Sequence, residues 1–161
     1  MNYDRLALAQ QLTEHEGLVK TVYKDSLGIE TIGIGRNLEG KGITDAELKH
    51  WDMSMELVYK VGITREMAID LFNNDVKIVE RELVQSHPIV ETLSAMRQMA
   101  LVNMGFNLGI PRLNMFKNMW ESIEDGDFTH AAIEMMDSRW ARQVGQRAIT
   151  LSNMMDTGVL D

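Results

Sequence analysis

Between Thr21 and Leu38 the sequence TVYKDSLGIETIGIGRNL abandons the helical apolar period that governs most of the other residues. Val22 and Tyr23 lead into the turn signature Asp25-Ser26-Leu27-Gly28, and Thr31, Ile32 and Ile34 follow it. Short β-branched runs joined by turn residues predict a hairpin or small antiparallel sheet. Gly33 and Gly35 in the second half predict bulges or the close approach of another group. A sheet this small offers little surface for burial, so the N-terminal helix is expected to pack against the helical part of the chain.

That N-terminal helix carries Leu6, Leu8, Ala9 and Leu12 on one stripe and stops at Gly17. Thr44-Asp45-Ala46-Glu47 is a capping-box pattern that starts a short helix. Thr64 is an N-cap for a long helix striped by Met67, Ile69, Leu71, Phe72, Val76, Val79 and Leu83, which runs to about Gln85, before His87-Pro88. A helix of about twenty residues spans about 30 Å, enough to bridge two lobes. Helical patterns follow over 90–108, 114–123, 128–136 and 138–155, with breaks at Gly109-Ile110-Pro111 and Glu124-Asp125-Gly126-Asp127. The expected fold class is therefore α+β and mostly helical. A small lobe with the hairpin covers 13–63, a connecting helix covers 64–85, and 1–12 with 86–161 make a larger helical lobe.

Composition removes several function classes. The 161 residues suit one domain or two small lobes, and 45% hydrophobic content suffices for a folded interior. Twenty-four acidic against sixteen basic residues leave a net charge of −8, which argues against nucleic acid or an anionic membrane as the main partner. There is no cysteine, so neither disulfides nor thiolate chemistry enter. The opening MNYDRLALAQQLTEHEG alternates apolar and charged residues and lacks the apolar run of a signal peptide. The chain is expected to begin in the cytoplasm of the cell that makes it.

Few residues are candidates for chemistry. His15, His50, His87 and His130 show no metal-ligand spacing, so neither a metal nor another cofactor is expected. Gly33-Ile34-Gly35 is no dinucleotide loop, because Leu38 stands where the third glycine belongs. Glu124-Asp125-Gly126-Asp127 lacks the periodic ligands of a calcium loop. Met96, Met99, Met104, Met115, Met119, Met135 and Met136 lie in helical patterns and are expected to fill a core, as are Trp51, Trp120 and Trp140. Carboxylates remain. Glu16 ends the first helix and Asp25 opens the hairpin turn; a helix end beside a hairpin can hold two carboxyl groups at a fixed separation around a cleft. Glycoside cleavage uses such a pair, one protonated and one ionised. With 24 acidic residues, spacing alone favours a solvated surface for both.

The residues around them add a resemblance. HEGLVKTVYKDSLGIETIGIG (His15–Gly35) resembles the active-site segment of the T-even bacteriophage lysozymes, the phage endolysin family of glycoside hydrolases. The family pattern is Glu, eight residues, Asp, five residues, Thr, then Ile-Gly-x-Gly. Glu16, Asp25, Thr31 and Ile32-Gly33-Ile34-Gly35 meet it. ITREMAIDLFNNDV (Ile63–Val76), ALVNMGFNLG (Ala100–Gly109), SRW (Ser138–Trp140), Arg147 and Thr157-Gly158 continue the match in order. The resemblance implies a muramidase that cuts the β-1,4 bond between N-acetylmuramic acid and N-acetylglucosamine in bacterial peptidoglycan. It assigns Glu16 as general acid, Asp25 as second carboxylate and Thr31 as a hydroxyl that helps hold a water. It places substrate contacts on Phe106 and Asn107, and looser ones on Asn37, Met119 and Glu134, where Leu, Ser and Asn are usual. It also sets Arg36, in place of a common histidine, against Asp75, so an ion pair is expected there. A monomer acting on peptidoglycan is implied, with no nucleic-acid or membrane partner. Lysis in a phage setting then needs a separate holin-type pore protein to give access to the wall. The alternative function is a non-catalytic peptidoglycan-binding or scaffold protein on the same fold.

Overall fold

The structure, a computed structural model, describes residues 1–159. Its helices are α1 (Arg5–Glu16), α2 (Asp45–His50), α3 (Met55–Val61), α4 (Arg65–Ser86), α5 (Ala95–Leu108), α6 (Ile110–Leu113), α7 (Lys117–Glu124), α8 (Phe128–Met136), α9 (Arg139–Val144) and α10 (Gln146–Thr157). Strands β1 (Val19–Lys24), β2 (Glu30–Gly33) and β3 (Arg36–Asn37) form one antiparallel sheet in chain order. The fold is the α+β, mostly helical, lysozyme-like one that the sequence implied. Two compact units divide it: one is Ala9–Asp75, and the other joins Met1–Leu8 to the chain from Val76 onward. Both α1 and α4 therefore contribute to each unit. No helix among the described residues is long and apolar enough to cross a membrane.

In the first unit the sheet is closed by a short turn. Asp25 N–H donates to Ile29 O and Gly28 N–H to Asp25 O, both at 2.9 Å. Gly28 has φ +79°, the left-handed residue that a three-residue hairpin loop requires. Lys24 pairs with Glu30, Tyr23 with Thr31, Thr31 with Asn37, and Ile32 with Arg36. Alternation along the strands sends Ile32 and Arg36 to one face and Tyr23, Thr31 and Asn37 to the other. Ile32 joins a core with Ile43, Val58, Ile63, Ala68 and Leu71, against which Val22 also packs.

Arg36, only 4% exposed, is a buried cation whose desolvation its partners must offset. Its Nε and Nη2 reach Asp75 at 2.9 and 2.8 Å. Its Nη1 and Nη2 also donate to Glu47 at 2.8 and 2.9 Å, and the carbonyls of Gly42 and Leu71 accept at 3.1 and 3.2 Å. The expected Arg36–Asp75 pair is present; Glu47 is an addition to it. Thr44 and Glu47 form the expected capping box of α2, so one carboxylate caps a helix and neutralises a buried cation. Burial alone would push the Glu47 carboxyl up, but hydrogen bonds from Arg36, Asn74 and the Thr44 backbone, with the Arg36 charge, hold it at about 2.

The second unit is built around α5. Residues Gln98 to Gly105 are buried without interruption, the mark of a helix surrounded on all sides. A Cβ on Gly105 would fall 2.9 Å from Val79 Cγ1 and 3.1 Å from Ile110 Cδ1, so glycine there sets how closely α4, α5 and α6 pack. Arg147 donates through Nε and Nη2 to Asn103 Oδ1 at 3.0 and 2.8 Å.

Several elements differ from expectation. The pattern over 90–108 is two pieces: a 3-10 turn over Pro88–Thr92, and α5 started afresh by Ser94, whose hydroxyl accepts Arg97 N–H. The pattern over 138–155 is cut at Gly145, whose φ of +56° ends α9 and begins α10. The expected break at Gly109-Ile110-Pro111 does end α5, at Gly109, but Ile110 and Pro111 then open the single-turn helix α6, as proline suits a first helical turn. Helix α3 left no clear period in the sequence, being a seven-residue turn capped by Ser54. Met99, Met104, Met119 and Met135 are fully buried as expected, whereas Met115 (75% exposed) and Met136 lie outside the core.

Candidate active site

Four of the expected site residues lie in the unit Ala9–Asp75. Glu16 is the last residue of α1 and is half-buried. It stands there because Gly17, at φ +78°, takes a conformation the helix cannot continue, while its N–H still bonds Thr13 O at 2.8 Å. Asp25 is held by its own turn, with Oδ1 accepting the N–H groups of Leu27 and Ile29 at 2.8 and 2.9 Å. Such side-chain capping of a turn is the usual habit of aspartate. Oδ2 accepts no hydrogen bond among the described residues.

Thr31 faces the same side of the sheet and is 4% exposed. Its hydroxyl donates to Ile29 O at 2.9 Å. A carbonyl can only accept, so the single hydroxyl hydrogen is used and Oγ1 presents lone pairs alone. Asn37 pairs directly with Thr31 and is exposed; its Oδ1 accepts Glu39 N–H at 2.7 Å. One face of the sheet thus carries the row Tyr23, Thr31, Asn37, with Asp25 two residues beyond Tyr23.

Tyr23 lies inside the segment His15–Gly35 that carries the resemblance, but the family pattern assigned it no role. Burial raises its hydroxyl above the ordinary phenol range, and the charges of Glu16 and then Asp25 raise it further. Both carboxylates therefore act on one phenol. Register supplies the missing signal: a residue opposite Thr31 and two before Asp25 must share their face.

The other four expected residues belong to the second unit. Phe106 is half-buried near the end of α5. Asn107 is exposed, and its Oδ1 accepts Trp140 Nε1–H at 2.8 Å. Trp140 is 3% exposed and sits edge-on to Phe116, centroids 6.2 Å apart. Met119 and Glu134 line one cavity of about 420 Å³ with Met115, Phe116, Lys117 and Asn118. Met119 is only 1% exposed and forms its floor. Phe106 and Asn107 are not part of that lining. Two of the histidines make packing and polar contacts: His87 stacks on Trp120 at 3.6 Å, and His130 Nε2 lies 3.3 Å from Glu134. No group of His, Asp or Glu among the described residues is arranged to hold a metal ion.

A small antiparallel sheet with one carboxylate and two hydroxyls on one face, in the same unit as a helix that ends in Glu, is the arrangement expected of a lysozyme-like protein. The chain belongs to the phage lysozyme family, whose pattern matches residues 13–154. It is similar to the pre-baseplate central spike protein Gp5 of Enterobacteria phage T4, at 30% identity over 97% of this chain and 28% of that protein. It is also similar to probable T4-type lysozymes 1 and 2 of Dictyostelium discoideum, at 28% and 29% identity over 96% of each chain. The chain thus spans nearly the whole of the Dictyostelium proteins but under a third of the spike protein.

Proposed function

We propose that the protein is a muramidase, hydrolysing the β-1,4 bond between N-acetylmuramic acid and N-acetylglucosamine in peptidoglycan. Glu16 is the general acid that protonates the leaving oxygen, and Asp25 and Thr31 hold the attacking water. The observation that carries this is the hydrogen-bond state of the two groups on the sheet face. Asp25 has one unused carboxylate oxygen, and Thr31 has lone pairs but no free hydrogen. A water between them donates one hydrogen to each and keeps a lone pair for the anomeric carbon. Asp25 accepts the proton released as the C–O bond forms, while Glu16 supplies the proton to the departing sugar. Attack by water opposite the acid inverts the anomeric centre, so the α-anomer forms first.

The likeness to T4-type lysozymes supports lysis of bacterial walls as the biological outcome. In a phage-infected cell a holin-type pore gives the enzyme, acting as a monomer from the cytoplasm, access to its substrate. The likeness to a baseplate spike protein supports a second route, in which the same unit reaches the wall as part of a larger protein. The decisive assay is clearing of chloroform-treated Gram-negative cells by the wild type against Glu16→Gln. Clearing by the wild type alone supports muramidase action; no clearing by either, with peptidoglycan still bound, favours a non-catalytic binding protein.

A further inference from the structure

Tyr23 has a free hydroxyl where a saccharide site needs a donor. The register places its side chain directly across from Thr31, where facing Cβ atoms stand about 4.5–5.5 Å apart. Asp25 follows two residues later on the same face. The ring is half-buried, yet its hydroxyl has no hydrogen-bond partner among the described residues. No buried side-chain polar atom among the described residues lacks a partner, so this hydroxyl reaches solvent and can exchange a water for a ligand oxygen.

Resting on the muramidase reading above, we propose that the Tyr23 hydroxyl is a substrate-binding group, donating a hydrogen bond to a saccharide oxygen beside the bond that is cut. The acceptor is a sugar oxygen rather than the attacking water. Asp25 and Thr31 already take that water's two hydrogens, and its remaining lone pair must face carbon. A further donor onto the water would compete with attack. The hydroxyl donates rather than ionises, since burial first, and then any negative charge on Glu16 or Asp25, keeps its proton on. A tyrosine also offers an apolar ring edge to the sugar beneath its polar tip.

The test is Tyr23→Phe, which keeps the ring and removes the hydroxyl. On solubilised peptidoglycan chains kcat/KM should fall at least tenfold, equally at pH 5 and pH 9, with the melting temperature unchanged. Calorimetric titration of uncleaved N-acetylglucosamine–N-acetylmuramic acid oligomers into Glu16→Gln should show tenfold weaker binding when Tyr23→Phe is added. A kcat/KM within twofold of wild type overturns the proposal. So does a loss of activity that follows a fall in melting temperature while oligomer affinity is unchanged. If the wild type does not hydrolyse peptidoglycan, the muramidase reading fails on its own, and the binding measurement still decides the Tyr23 contact.

Discussion

Glu16 and Thr31 are each asked for one chemical property, which makes them separable by substitution. Glu16→Gln retains shape and hydrogen-bond capacity but cannot release a proton, so turnover should drop to below a few per cent of wild type with folding intact. Circular dichroism and a turbidity assay check both halves. Thr31→Val is nearly isosteric and removes the lone pairs of Oγ1. It also leaves Ile29 O without its donor, a loss of about 1 kcal/mol for one hydrogen bond. Its kcat should fall much further than that stability loss explains, and KM should stay near the wild-type value. Arg36 and Glu47 govern stability instead. Glu47 is 8% exposed, and its carboxyl is held at about 2 against an ordinary 4.5. Its stabilisation is complete above the unfolded value near 4.5. It is lost as pH falls from there through about 2, because the unfolded chain takes up the proton first. The difference corresponds to about 3 kcal/mol. Urea unfolding at pH 6, 4 and 2.5 should show this fall, and Glu47→Gln should flatten it while lowering stability at pH 6. Arg36→Met strands two largely buried carboxylates and should cost about 3–5 kcal/mol.

Among the elements, the hairpin and α3 depend on a backbone approach that one glycine permits. A Cβ on Gly62 would lie 2.3 Å from Lys20 O, the carbonyl that accepts Ile63 N–H at 2.8 Å. Gly62 also has φ +78°, ψ −160°, a region open to glycine almost alone. Gly62→Ala must therefore push β1 away from α3, and a loss of about 3 kcal/mol or more in chemical unfolding is expected. Gly28→Ala strains only its turn, with nothing within 4 Å of the new Cβ, and should cost about 1–2 kcal/mol. The long helix was readable because its apolar stripe runs far beyond any alternative period. Helix α3 was not, because seven residues give a stripe too short to separate from chance. The cut at Gly145 was hidden for the opposite reason: both sides keep helical periodicity, and the positive φ between them leaves no mark on the pattern.

At the scale of the molecule, under the proposed muramidase function, the net charge of −8 bears on encounter with the wall rather than on chemistry. Bacterial walls are anionic, so long-range repulsion should slow approach at low ionic strength. The Debye length shrinks from about 30 Å at 0.01 M to about 8 Å at 0.15 M. Wall-clearing rates should therefore rise with salt across that range, while hydrolysis of a short neutral oligosaccharide stays constant. A clearing rate that falls with salt would mean that a basic local surface, not the net charge, meets the wall.

The sequence by itself determined the fold class, the hairpin, the long helix and the positions of Glu16, Asp25 and Thr31. Each rests on local information: a period, a turn signature or a spaced motif. Tertiary structure alone decided what these residues can offer. That Thr31 has spent its hydrogen on Ile29, that Asp25 keeps one oxygen free, and that Tyr23 feels both carboxylates follow from strand register and turn geometry. Glu47 shows the same division. Its capping role needs only residues three apart, whereas its bond to Arg36 exists only because the sheet and α2 are packed about one core. Patterns in a chain record which groups are neighbours along it; hydrogen bonds between distant groups are set by the packing that brings them within 3 Å.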